Sequence, residues 1–279
     1  MDVLTIAKPR ERLVVRVAGI LFGVATHLFF AVTVWYLYPF LVATPGIPSA
    51  NALWIDSCLA LQFAVTHSLW LWPPVRQRLG RWISRSFYGC FFCLMTCFSL
   101  GLTIWQWRSS SIVIWHTSGI LSLAMQLGFI GSWIGLFYSL ALTGIGYQTG
   151  LTEWLYWVRR RTLPRRTFVP RGAYFILRHP VYLSFLGLIW FTPTMSLDHA
   201  LLTGIWTVYI FIGSWLKDRR LAFYLGESYR EYAAEVPGYP GMLYGPLALW
   251  SRPTPAEVPF KAHALKPISG STWSEFPSA

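Results

Sequence analysis

The stretch SGILSLAMQLGFIGSWIGLFYSLALT, residues 118–143, contains no Asp, Glu, Lys or Arg. A hydrocarbon layer is crossed by a helix of about 20 apolar residues, so this block is long enough to span a membrane. Further apolar blocks lie at about 14–41, 53–72, 86–106, 180–193 and 198–216. Together they predict an all-α integral membrane protein with six transmembrane helices, the fifth short for a full crossing. The turn TPTMSLD places Pro193 ahead of two capping-type residues, Ser196 and Asp198. Blocks five and six therefore read as a tight hairpin.

Composition agrees. The chain is 54% hydrophobic and 18% aromatic but only 12% charged, far from the balance of a water-soluble domain. The formal charge of +12 does not point to nucleic acid, because the basic residues fall between apolar blocks rather than along one face. Their placement is topological. Lys8, Arg10, Arg12 and Arg16 precede the first block, Arg76, Arg78, Arg81 and Arg85 separate the second from the third, and a run from Arg159 to Arg178 separates the fourth from the fifth. The intervening loops at 42–52 and 192–198 carry no Lys or Arg, and the one at 107–117 carries only Arg108. Positive charge collects in cytoplasmic loops, so both termini are expected on that side.

The basic start KPRERLVVR leads into an apolar block too long for a signal peptide and is read as a retained helix. After the sixth block, Leu221, Tyr224, Leu225, Tyr229 and Tyr232 recur at helical spacing and predict an amphipathic cytoplasmic helix. Residues 1–250 are read as one domain with a core module at 172–240, and 251–279 as a flexible cytoplasmic tail. Cys90, Cys93 and Cys97 stack along one helix as small apolar residues, without the partners a metal or redox site needs.

Ionisable groups at membrane depth are costly and mark sites. His27, inside the first block, is read as a histidine hydrogen-bonded to a neighbouring helix. His67, in THSLW, either lines an acceptor pocket or is a plain interfacial histidine. Arg178 and His179 stand directly before Pro180, which suits the first position of a helix. Such a helix mouth favours a carboxylate or phosphate, with Arg178 to fork onto it, His179 to hydrogen-bond a ligand, and Tyr174 and Tyr182 to flank both. Simple anchoring by positive charge and aromatic residues explains the same spacing. Lys217, Asp218, Arg219 and Arg220 follow the sixth block on the same side as Arg178, and Glu227, Tyr229 and Tyr232 lie further along. No dinucleotide fingerprint, phosphate-binding loop, nucleophile elbow or zinc motif occurs.

The segment GAYFILRHPVYLSF, followed by a hairpin and KDRRLAFYLGESYREYAAEVP, resembles the signature of membrane methyltransferases related to isoprenylcysteine carboxyl methyltransferase. THSLW, SRSFYG, WQWR, IVIWH and WFTPTMS resemble pieces of the bacterial methanethiol S-methyltransferases and NnrU-like membrane proteins, in the same order. The resemblance implies S-adenosylmethionine as methyl donor, a small or lipophilic thiol as acceptor, no metal, and a cytoplasmic active site in a bacterial inner membrane. It assigns Arg178, His179 and Asp218 to catalysis, and Tyr174, Arg178, His179, Pro180, Tyr182, Asp218, Glu227 and Tyr229 to the cofactor. Two departures stand out. Lys217 occupies the first place of an acidic pair, and IGYQTGLTEW lacks the histidine the methanethiol enzymes carry upstream. They keep two alternatives open: a non-catalytic NnrU-like accessory protein, and carboxyl methylation of a prenylated cysteine.

Overall fold

Helix dominates wherever the apolar blocks lie. The computed structural model describes residues 9–43, 46–49, 51–164 and 168–251; the tail expected at 251–279 lies outside these, Ser251 apart. The helices are α1 (Pro9–Ala43), α2 (Ala52–Leu71), α3 (Pro73–Leu79), α4 (Arg85–Gln106), α5 (Gly119–Thr143), α6 (Ile145–Gln148), α7 (Leu151–Val158), α8 (Pro180–Trp190), α9 (Leu197–Leu225) and α10 (Glu227–Glu235). Four of them, α1, α4, α5 and α9, are long and apolar enough to cross a membrane, where six crossings were expected. The other two blocks fall short for separate reasons. α2 carries Asp56, Gln62 and Thr66 within its 20 residues, and α8 has only 11 residues, about 16 Å at 1.5 Å per residue.

The described chain divides into two compact units. The first contains α1 to α4 with α6 and α7, and in it α4 packs against α1, α2 and α7. Small residues make these approaches close, as membrane packing requires. Gly19 and Gly23, one turn apart on α1, leave a notch for the indoles of α7. A Cβ at Gly19 would stand 2.6 Å from Trp157, and one at Gly23 would overlap the Trp154 ring. Trp154 then donates its indole N–H to the Gly19 carbonyl at 2.9 Å. Polar side chains join α2 to α4: Gln62 Nε2 donates to the Ser99 carbonyl at 2.8 Å and to Thr103 Oγ1 at 3.0 Å. Cys90, Cys93 and Cys97 are buried on α4 as free thiols. His27 is bonded within its own helix rather than to a neighbour, Nδ1 lying 2.7 Å from the Gly23 carbonyl one turn back, and its ring lies beside Trp154 with centroids 5.8 Å apart. His67 belongs to this unit, its ring packed on Phe63 and Phe92.

The second unit contains α5, α8, α9 and α10 with two short strands. α5 and α8 lie against each other, and glycine again sets the distance. A Cβ at Gly128 would stand 2.7 Å from the Phe191 ring, and one at Gly187 would run into Ser132. α8 and α9 form the expected hairpin. Ser196 caps α9, its hydroxyl accepting from the His199 N–H at 3.4 Å. The connection also forms a feature the apolar pattern did not announce: β1 (Val113–His116) pairs antiparallel with β2 (Thr194–Ser196), with an irregularity between Val113 and Trp115. The polar segment after α9 differs from the single amphipathic helix expected. α9 continues to Leu225, the chain turns at Gly226 with φ 61°, and α10 starts anew. A left-handed φ is open to glycine at no steric cost.

Candidate active site

At the end of α8 remote from the strands, the chain enters through a 3-10 turn at Gly172–Phe175, and Pro180 takes the first helical position with His179 as N-cap. Arg178 has no helical partner for its N–H, which donates to the Pro237 carbonyl at 2.9 Å. This bond brings the segment after α10 back onto the mouth of α8.

Arg178 is 2% exposed, and all three guanidinium nitrogens have protein acceptors. Nε donates to Asp218 Oδ2 at 3.1 Å, Nη1 to the Ala233 and Val236 carbonyls at 2.9 and 2.8 Å, and Nη2 to the Ala248 carbonyl at 3.1 Å. Nη2 also stands 3.0 Å from Asp218 Oδ2. Trp250 lies against the guanidinium, 5.6 Å from the ring centroid. Arg178 thus ties together α8, the end of α9, the end of α10 and the strap at 236–251. The fork expected to receive a ligand carboxylate is engaged within the protein.

Asp218 is fully buried. Its Oδ1 accepts from the Tyr229 hydroxyl and lies 3.0 Å from His179 Nε2. A buried carboxylate needs this number of partners to remain charged.

His179 is 1% exposed and differs from its neighbours. Its Nε2 contact with Asp218 falls outside hydrogen-bond geometry, and Nδ1 has no hydrogen-bond partner. Burial lowers its pKa below the usual imidazole value, and the nearby Lys217 and Arg178 charges add to this, while Asp218 opposes them. The ring is held between Tyr182 and Tyr239, with centroids 5.5 and 5.6 Å away, and the Tyr239 hydroxyl bonds Ser214 of α9. Gly238 lets the strap close on the ring: a Cβ there would stand 3.3 Å from His179 Cδ2 and 2.5 Å from the Leu247 carbonyl.

Tyr174 contributes a second open polar atom. Its buried hydroxyl, pushed up to about 12 by desolvation and tempered by the Thr143 hydroxyl, does not reach hydrogen-bond geometry with any partner. Its carbonyl accepts from the Tyr232 hydroxyl at 2.6 Å. Phe168 packs on Tyr229 and Tyr232, and burial raises the pKa of both phenols. Lys217 lies beside this group with Nζ 5.2 Å from the Tyr182 ring centroid. Glu227, in the first turn of α10, faces outward.

The structure therefore brings Arg178, His179, Pro180, Tyr182, Asp218 and Tyr229 into one cluster, with Tyr174 at its edge and Glu227 on its outside. The strap carbonyls, Tyr239, Ser214, Gly238 and Trp250 were not singled out from sequence. The available signal was the Gly- and Pro-rich VPGYPG turn, which brings Trp250 back toward Arg178. Among the described residues no group of three His, Cys, Asp or Glu is placed to hold a metal ion.

The chain is similar to several known proteins. The chain is 30% identical over 231 residues to methanethiol S-methyltransferase 1 of Bradyrhizobium diazoefficiens, covering 77% of this chain and 79% of the relative. The chain belongs to the methanethiol S-methyltransferase family. A methanethiol S-methyltransferase from a Pseudomonas species is 29% identical, with 79% of this chain and 89% of the relative covered. Nurim of Mus musculus is 27% identical over 62% of this chain and 69% of its own length. No family model and no solved structure matches the chain.

Proposed function

We propose that the protein is an integral-membrane methyltransferase that uses S-adenosylmethionine to methylate a small thiol of the methanethiol kind. The observation that carries this reading is the buried, unpartnered Nδ1 of His179 at the mouth of α8, in a chain whose relatives bear that enzyme name. Buried polar atoms without partners are rare in folded proteins, and a ligand is a common reason for them.

The residues present suit the donor. The mouth of α8 offers a positive dipole end to its carboxylate, His179 Nδ1 and Tyr174 Oη offer hydrogen bonds, and the Tyr182 face suits a cationic sulfonium. When bound, the donor supplies an electrophilic methyl group. Arg178, Asp218 and Tyr229 act as positioning residues: their mutual bonds hold the His179 ring and pin the strap over it. Burial keeps the His179 ring neutral, so Nδ1 accepts or donates according to tautomer. Dry surroundings of this kind strengthen every polar contact at the reacting atoms.

In this reading α2 and α8 enter the membrane with the four spanning helices, and the positive charge of the arginine-rich loops supports a site on the cytoplasmic face, in a bacterial inner membrane. The test is purified protein in nanodiscs, assayed for donor binding and for transfer of labelled methyl to methanethiol. Transfer above an empty-disc control is expected, with His179→Ala weakening donor binding at least tenfold. Unchanged donor affinity in that variant refutes the site. Donor binding without transfer to any thiol favours an accessory role.

A further inference from the structure

Lys217 and Arg220 stand one helical turn apart near the cytoplasmic end of α9, both half-buried. Among the described residues neither forms an ion pair with a carboxylate. Asp218, adjacent in sequence, is turned toward Arg178 and Tyr229 and has no free oxygen. Lys217 instead lies over the Tyr182 ring, which packs against His179 in a T-shaped contact. Arg220 is within electrostatic reach of both Lys217 and Tyr182.

Like charges three residues apart on a helix repel, and half-buried cations without counter-charges are unfavourable near lipid. Anchoring at the membrane surface does not explain them. Arg219, between the two, shows what that looks like: it is exposed and rests on Trp215 at 5.0 Å. Lys217 is drawn back over the Tyr182 ring, and Arg220, one turn further along, is likewise half-buried. The cluster thus holds Arg178, Lys217 and Arg220 against the single carboxylate of Asp218, with a neutral His179 whose Nδ1 is open.

We infer that Lys217 and Arg220 form an anion subsite beside Tyr182 and His179 that receives the negative charge of the methyl acceptor. The inference rests on the methyltransferase reading and narrows its acceptor to an anion: either the thiolate of a small neutral thiol or a thiol that also bears a carboxylate. In the transfer, the thiol proton passes to water. The acceptor sulfur then bonds the methyl carbon as that carbon's bond to the sulfonium breaks, the electron pair staying on the donor sulfur. The thiolate and sulfonium charges cancel. A cation beside the sulfur raises the thiolate fraction, the reacting form, and a carboxylate on the acceptor would bind the same pair.

The experiment compares wild type with Lys217→Met, Arg220→Met and Lys217→Arg in nanodiscs, using methanethiol, mercaptoacetate and mercaptoacetamide as acceptors and S-adenosylhomocysteine as a calorimetric probe of the donor site. Lys217→Met is expected to lower kcat/KM for the preferred acceptor by roughly 100-fold, the usual effect of removing one preorganised electrostatic contact. Lys217→Arg restores most of it, and S-adenosylhomocysteine affinity changes less than twofold. A rise in KM confined to mercaptoacetate identifies the carboxylate. A loss shared by methanethiol and mercaptoacetamide identifies the thiolate. Unchanged kinetics in both methionine variants overturns the inference, as does a loss of S-adenosylhomocysteine binding equal to the loss of rate, which assigns the cations to the donor. Where wild type transfers no methyl, the methyltransferase reading fails. Calorimetric binding of mercaptoacetate to wild type but not to Lys217→Met still upholds the anion subsite, and equal or absent binding in both refutes it.

Discussion

Replacing Arg178 by Met separates a structural clamp from a ligand anchor. The change leaves Asp218 buried without its cation and leaves the Val236 and Ala248 carbonyls without their donor, while the Ala233 carbonyl keeps the Trp250 N–H at 3.0 Å. Breaking a buried ion pair by removing one partner costs about 3–5 kcal/mol, and each abandoned buried acceptor adds on the order of 1–3 kcal/mol where no water reaches it. Asp218→Leu also strands a buried charge, but it leaves the Val236 and Ala248 carbonyls their donor, so it should cost about 3–5 kcal/mol. Because each single variant suffers from the charge left behind, the double variant should be less destabilised than the sum by about 2 kcal/mol or more. Such a coupling is over tenfold in the unfolding equilibrium constant. The assay is unfolding in mixed micelles by titration with dodecyl sulfate, followed by circular dichroism for wild type, both single variants and the double variant. Additivity within about 0.5 kcal/mol, or an Arg178→Met protein of wild-type stability, would refute the clamp.

Three further outcomes follow from the packing. Gly238→Ala places a Cβ 2.5 Å from the Leu247 carbonyl; the strap must shift, at about 1–3 kcal/mol, visible as a lower thermal midpoint together with weaker donor binding. Gly23→Leu drives Trp154 out of its notch on α1 at a similar overpacking cost, read as a fall in thermal midpoint with Trp154 exposed to aqueous quencher. Acid should destabilise the protein through His179: its folded pKa lies below the 6.5 of the free imidazole, so stability is retained above that value and falls as pH drops below it, when the unfolded chain takes up the proton. His179→Gln should flatten that fall between pH 7 and 5 in thermal melts, and an unaltered pH profile would assign the acid sensitivity elsewhere.

The membrane character, the α8–α9 hairpin and the helix start at Pro180 were legible because each follows from local rules: apolar length, a capping serine, and a ring whose fixed φ suits the first turn. The crossing count was less legible, since the length of an apolar run does not report how many polar residues its neighbours will satisfy. Gln62 and Thr66 sit in α2 because α4 supplies partners. The break at Gly226 was hidden for a similar reason, the apolar spacing passing straight through it.

The arginine at 178 shows where sequence reading ends. Its type, its place before His179 and Pro180, and the family it signals are written in the chain, and so is the charge of Lys217. The partner that takes up the Arg178 donors is not. Asp218 lies 40 residues away and the strap carbonyls up to 70, and nothing in a local pattern says which distant acceptors will meet a cation once α8, α9 and α10 converge. Packing decided that Arg178 is satisfied within the protein while His179 Nδ1 is left open. A hydrogen bond depends on distance and direction, and those exist only after the chain has folded.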